Sequence, residues 1–337
     1  MEYADDPIET PSTARGSGDP LLDAPVQVEH LAQGPPLPGP NPAGPVSADP
    51  SFHVSEASAL VAPPPSPPRP IRIPHFGHVL LLLLLLLAGA FCAVIFALVA
   101  LHFHLFGVST PDQVQRSMFY NIGIMGLLYL FAFVPAVAVF PLLWRRGILA
   151  GLQWSATSAY RLRWRLFGLG VGCAGAALAL QSVLHLPRDT PIQQMLNSPQ
   201  AAWLMFAFGV AVAPLCEEVL FRGFLLPSAC TAFDWIRERI TRSAPPELLS
   251  NGHPQWSLPA MVFGAAISSA LFALLHAGQT SNAKGVLLVL WTMGMVLSGI
   301  RLKTRSLAAS TLTHASYNFT LFVMVLVATH GFRNFKP

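Results

Sequence analysis

Past residue 75 the chain alternates long apolar runs with short polar connections. A bilayer core is crossed by about 19 consecutive, mostly apolar residues in a helix. That window predicts seven spans, approximately 79–101, 118–143, 165–186, 201–227, 258–277, 284–300 and 306–329. The first opens on eight consecutive leucines, Leu80 to Leu87. The fold class expected is all-α: a polytopic transmembrane helical bundle of about seven spans. Residues 75–337 form this membrane domain. Residues 1–74 read differently, holding 18 of the 31 prolines in stretches such as GPPLPGPNPAGP and APPPSPPRP. Too few large apolar residues are present there to offset the entropy of ordering. A disordered, Pro-rich acidic tail is expected, with a docking partner for its proline motifs as the functional alternative to an inert tail.

Composition agrees with a membrane protein. The chain is 53% hydrophobic and 11% charged, where soluble domains carry about 25% charged residues. Residues 1–60 hold nine acids and one base (net −8), and the remainder holds 19 bases and seven acids (net +12). The bases cluster beside the apolar runs rather than in one soluble patch, so nucleic acid is not an expected partner. They also alternate. Arg69 and Arg72 precede the first span, and Arg145, Arg146, Arg161, Arg163 and Arg165 fall between the second and third. Arg237, Arg239 and Arg242 follow the fourth, and RLKTR separates the sixth from the seventh. The positive-inside rule then puts the N-terminus and these loops in the cytoplasm and the C-terminus outside. The acidic opening MEYADDPIET lacks the character of an export signal. Abundant Ala, Pro and Leu point towards a bacterial inner membrane. Cys92, Cys173, Cys216 and Cys230 have no CxxC spacing and read as free thiols.

Against this background the stretch APLCEEVLFRGF, Ala213 to Phe224, stands out. Glu217 and Glu218 are the only two acids inside the expected spans, where an ionisable group costs about 2.5–3.5 kcal/mol at the helix centre. On a helix, i and i+4 share a face whereas neighbours diverge by about 100°. Glu218 and Arg222 can therefore neutralise each other. Glu217 has Phe221 at its own i+4 position and no basic neighbour in sequence, which leaves it for chemistry. Further along, FALLH places Phe272 and His276 on one face, and HASYN places His314 and Asn318 on another. A carboxylate, two imidazoles and a carboxamide suffice to activate a water and stabilise an oxyanion.

The ordered set EExxxR, FxxxH and HxxxN resembles the CAAX protease and bacteriocin-processing (Abi) family of intramembrane endopeptidases, which includes the type 2 CAAX prenyl endopeptidases. The resemblance covers approximately residues 165–330. It implies a hydrolase that cuts a membrane-associated protein or peptide substrate within the lipid bilayer. It implies Glu217 as general base assisted by His276, with His314 and Asn318 as oxyanion donors. Glu218, Arg222 and Phe272 would then be structural support. No cofactor is favoured; the metalloprotease alternative is zinc held by Glu217, His276 and His314, without the HExxH spacing that preorganises such a site.

Two other function classes fit parts of the pattern. A proton-coupled transporter would use Glu217 and the histidines, although no repeat relates the two halves of the chain. A non-catalytic membrane scaffold would keep only the Glu218–Arg222 brace. The expected spans contain no aspartate, which removes an aspartyl dyad, and no serine elbow is present. One conflict stands: a fourth span ending at 227 places Glu217 near one membrane face and His276 near the other. A longer fourth helix, irregular chain in HAGQTSNAKG, or both, would resolve it.

Overall fold

The computed structural model describes residues 72–183, 198–249 and 252–333. Residues 1–71, most of the expected tail, lie outside them. Seven long helices coincide with the seven expected spans. They are α1 (Phe76–His102), α2 (Met118–Trp144), α3 (Arg163–Val183), α4 (Pro199–Thr241), α5 (Leu258–Leu275), α6 (Lys284–Thr304) and α7 (Leu307–Ala328). No strand occurs among the described residues. Among the described residues, six of the helices are long and apolar enough to cross a membrane. This is an integral, multi-pass membrane protein.

Helix starts follow local chemistry. Ser198, Ser257 and Ser306 each accept a hydrogen bond from the backbone N–H three residues on, opening α4, α5 and α7. The outer row of α1, Leu80, Leu84, Leu87 and Phe91, is exposed at a spacing that keeps it on one face, as lipid contact requires. Its other side packs on α2. There, with α4, Phe140, Trp144 and Phe224 form an aromatic cluster with ring centroids 4.6–5.6 Å apart. Next to the site the helices meet through small residues. A Cβ on Gly170 of α3 would lie 2.7 Å from both Ser316 Cβ and Thr313 O of α7. One on Gly294 of α6 would lie 2.7 Å from Ser269 Cβ of α5.

The polar connections gather at one end. Arg72 pairs with Glu238 at the far end of α4 at 2.6 Å. His253 Nε2 meets the Ala150 carbonyl at 3.2 Å. Leu307 N–H donates to Gln153 O at 3.0 Å, and Arg301 to Leu152 O at 3.3 Å. The Arg-rich segments before α1, between α2 and α3, after α4 and between α6 and α7 thus share one face of the bundle. Ile73 is buried against the bundle.

The largest departure from expectation is α4. It runs unbroken for 43 residues, past the expected end at 227. It therefore takes in Asp234 and Glu238, both beyond the apolar run expected to cross the bilayer. Asp234 is committed to structure: its carboxylate accepts from Ser257 N–H at 2.9 Å and Ser257 Oγ at 2.5 Å, bracing the start of α5. Proline within a helix removes a donor and clashes with the carbonyl four residues back. Here Pro214 and Pro227 each follow a widened π turn, Phe208–Val212 and Val219–Leu225. Such turns absorb a misfit without ending the helix and recur at functional sites.

Candidate active site

Glu217 and Glu218 occupy the short α-helical segment of α4 between its two π turns. The pair divides as its spacing predicts. Glu218 and Arg222 are fully buried and joined at 3.0 Å. Arg222 also donates to the Gly294 carbonyl at 3.1 Å, tying α4 to α6. Glu218 has a further partner, because His314 Nδ1 lies 3.1 Å from the same carboxylate oxygen. Ser310, one turn earlier on α7, stands beside it.

Glu217 points elsewhere. Its Oε1 lies 3.7 Å from His276 Nε2 and its Oε2 lies 3.6 Å from His314 Nε2. Three helices converge on one carboxylate, and the depth conflict is resolved by both routes at once. The continuation of α4 leaves Glu217 well inside a long helix. Meanwhile α5 stops at Leu275, and His276 begins an irregular stretch containing one 3₁₀ turn, Gly278–Thr280. The side chains of Glu217 and His276 keep 14% and 17% of their surface open, against 4% for His314 and none for Glu218 or Arg222.

Both rings are oriented by their other nitrogen. His276 Nδ1 lies 2.8 Å from the Phe272 carbonyl, which can only accept, so Nδ1 carries the proton. His314 Nδ1 likewise faces an ionised carboxylate. Each Nε2 is thereby aimed at Glu217. Phe272 is buried between these groups. Its ring centroid is 4.7 Å from that of His276, 5.6 Å from that of His314 and 4.7 Å from the Arg222 guanidinium carbon. It fixes three polar side chains with one apolar surface.

Asn318 lies one turn beyond His314, and its Nδ2 donates to Gly209 O at 2.8 Å. In the π turn that carbonyl would be met by the N–H of residue 214, a proline that has none. Asn318 fills the gap with one N–H and retains a second. At the other π turn Ser268 of α5 donates to Phe221 O at 2.9 Å, an oxygen that also accepts from the Leu226 N–H.

Several contributors carry no sequence signal. Gly209, in a π turn, and Gly294 act through their carbonyls, and Ser268 through its hydroxyl. Tyr129 of α2 comes within electrostatic range of Glu217 and stacks on Phe208 at 6.0 Å between centroids. It sits in a span matched by no motif.

The donor types of Glu217, His276 and His314 suit zinc. As arranged, however, no group of three or more His, Cys, Asp or Glu side chains among the described residues can hold a metal ion.

Fold and site together define a multi-pass helical membrane protein with a buried glutamate–histidine centre shared by α4, α5 and α7. Residues 199–320 match the family described as type II CAAX prenyl endopeptidase, Rce1-like. The match begins with α4 and ends within α7, so it takes in all three motifs. No curated protein and no solved structure matches the chain.

Proposed function

We propose that this protein is an intramembrane endopeptidase that hydrolyses a peptide bond in a membrane-associated protein or peptide. The observation that carries the reading is the position of Glu217, whose two carboxylate oxygens face the Nε2 atoms of His276 and His314 while its edge stays open. The Rce1-like match supports the same reaction class.

In this reading a water enters at the open edge of Glu217 and His276. Glu217 takes one proton, and the hydroxide adds to the substrate carbonyl carbon. The carbonyl π electrons move onto oxygen, and the oxyanion is met by His314 Nε2–H and the second N–H of Asn318. Because Nδ1 of His314 is already committed to Glu218, donation from Nε2 requires the ring to carry both protons. Glu217, Glu218, Arg222 and imidazolium His314 then sum to no net charge, which suits a water-poor interior. Collapse of the intermediate breaks the C–N bond, and Glu217 returns its proton to the leaving amine with His276 alongside. Activation by a positioned acid–base group is worth about 10²–10⁴-fold.

The test is cleavage of a membrane-associated peptide by purified protein and by Glu217→Ala and His276→Ala variants. Loss of cleavage in both is expected, with thermal unfolding unchanged for His276→Ala. Cleavage untouched by both changes would overturn the mechanism.

A further inference from the structure

The connection between α2 and α3 and that between α6 and α7 meet over a cavity of about 430 Å³, in the size range of small-ligand sites. Its charged walls are Arg146 and Arg305, which stand just past the C-terminal ends of α2 and α6. Among the described residues no carboxylate lines it. Gln153 is also part of the wall and is held by both connections: its N–H donates to Ala150 O at 3.2 Å and its carbonyl accepts from Leu307 N–H at 3.0 Å. Its φ is +54°, the left-handed region a glutamine seldom adopts. The residue is 8% exposed, and its side-chain Oε1 is buried with no hydrogen-bond partner among the described residues. Leu149, itself exposed, and Trp154 supply apolar surface on the same rim.

Each feature limits the ligand. Two guanidinium groups with no carboxylate in the wall favour an anion with several oxygens, and phosphate matches the guanidinium fork. A buried amide oxygen without a partner calls for a donor, since leaving it unmet costs about 1–3 kcal/mol. An exposed leucine beside an indole, at the end of two bilayer-crossing helices, calls for an apolar continuation at headgroup depth. Basic pockets between membrane helices are lipid sites on the same physical grounds.

We propose that this cavity binds a phospholipid headgroup, with the phosphodiester on Arg146 and Arg305 and a headgroup donor, ammonium or hydroxyl, on Gln153 Oε1. Phosphatidylethanolamine and phosphatidylglycerol carry such a donor. Phosphatidylcholine carries the phosphate without one and ranks below both.

Native mass spectrometry of the purified full chain in detergent, with each of the three lipids added in turn, tests this. Adducts of phosphatidylethanolamine and phosphatidylglycerol are expected to exceed those of phosphatidylcholine several-fold. Arg305→Gln, at an exposed position, should weaken all three, and Arg146→Gln with Arg305→Gln should weaken them by at least about tenfold. Gln153→Leu should keep the phosphate contribution and abolish the preference over phosphatidylcholine. Millimolar inorganic phosphate should leave the lipid adducts in place. Equal lipid retention by the double arginine variant would overturn the site, and displacement of the lipids by inorganic phosphate would overturn the lipid as its occupant.

Discussion

Asn318 of α7 donates to the Gly209 carbonyl of α4 at 2.8 Å, in the place left by the missing N–H of Pro214. A residue expected from its motif to serve an oxyanion is therefore also a clamp between two helices, and the clamp is possible because of a proline five residues from its acceptor. Asn318→Asp would set a carboxylate oxygen against that carbonyl, acceptor against acceptor. We expect a stability loss of about 1–3 kcal/mol and a kcat loss of about 10²–10³-fold, read by thermal unfolding and peptide cleavage. Full activity in this variant would remove Asn318 from both roles.

Pro214→Ala restores the N–H that Asn318 now replaces. The π turn gains a main-chain donor, and the amide of Asn318 loses its fixed position. The expected outcome is unfolding temperature unchanged or raised, with kcat reduced. A variant equal to the parent in kcat would show that the clamp does not position the site.

Arg222→Met would leave Glu218 fully buried without its guanidinium partner, with only His314 and Ser310 beside it. Removal of one partner from a buried pair costs about 3–5 kcal/mol, so a large drop in unfolding temperature in detergent is expected. Adding Glu218→Gln to it should recover part of the loss, because no bare charge is then buried. Cleavage should stay low in the double variant, since His314 loses its carboxylate.

Gly294→Val would drive a side chain into Ser269, where even a Cβ has 2.7 Å. Overpacking costs about 1–3 kcal/mol, and the displaced Gly294 carbonyl would release Arg222. Both unfolding temperature and activity should fall, and Gly294→Ala should fall between Val and the parent.

His253 supplies a pH dependence outside the membrane. Burial is the main cause that holds its imidazole below the usual 6.5, with Arg146 and Arg301 adding to it and the Ala150 carbonyl opposing. The folded protein thus prefers the neutral ring. Well above pH 6.5 the ring is neutral in both states and its contribution is complete. As pH falls below about 6.5 the unfolded chain takes the proton first, and stability is lost. Unfolding temperatures measured at pH 8 and pH 5.5 should differ less in His253→Asn than in the parent protein.

How much of this was legible in the sequence depends on the range of the signal. Span positions were, because apolar runs of bilayer length have few other uses. The Glu218–Arg222 pair was, because i,i+4 contact is a property of one helix. The grouping of Glu217, His276 and His314 was expected from the motifs, but their common depth was not, since it rests on α4 continuing through two prolines. Local rules end or kink a helix at Pro227; here a π turn precedes each proline, and at Pro214 a donor from another helix, Asn318, replaces the missing N–H. The approach of Tyr129 was invisible for a related reason. It arises from how α2 lies against α4, and nothing in either sequence stretch encodes that contact.

At 1.5 Å per residue, the 43 residues of α4 extend roughly 65 Å, about twice the 30 Å hydrocarbon thickness of a bilayer. The helix that bears Glu217 is therefore a lever whose far arm stands clear of the lipid, ending near the exposed Ile240. That arm is fastened at two points, by Arg72 from the start of α1 and by Ser257 from the start of α5. A spectroscopic label at residue 240 would sense tilt of this lever from the water phase, giving a view of the buried centre without touching it.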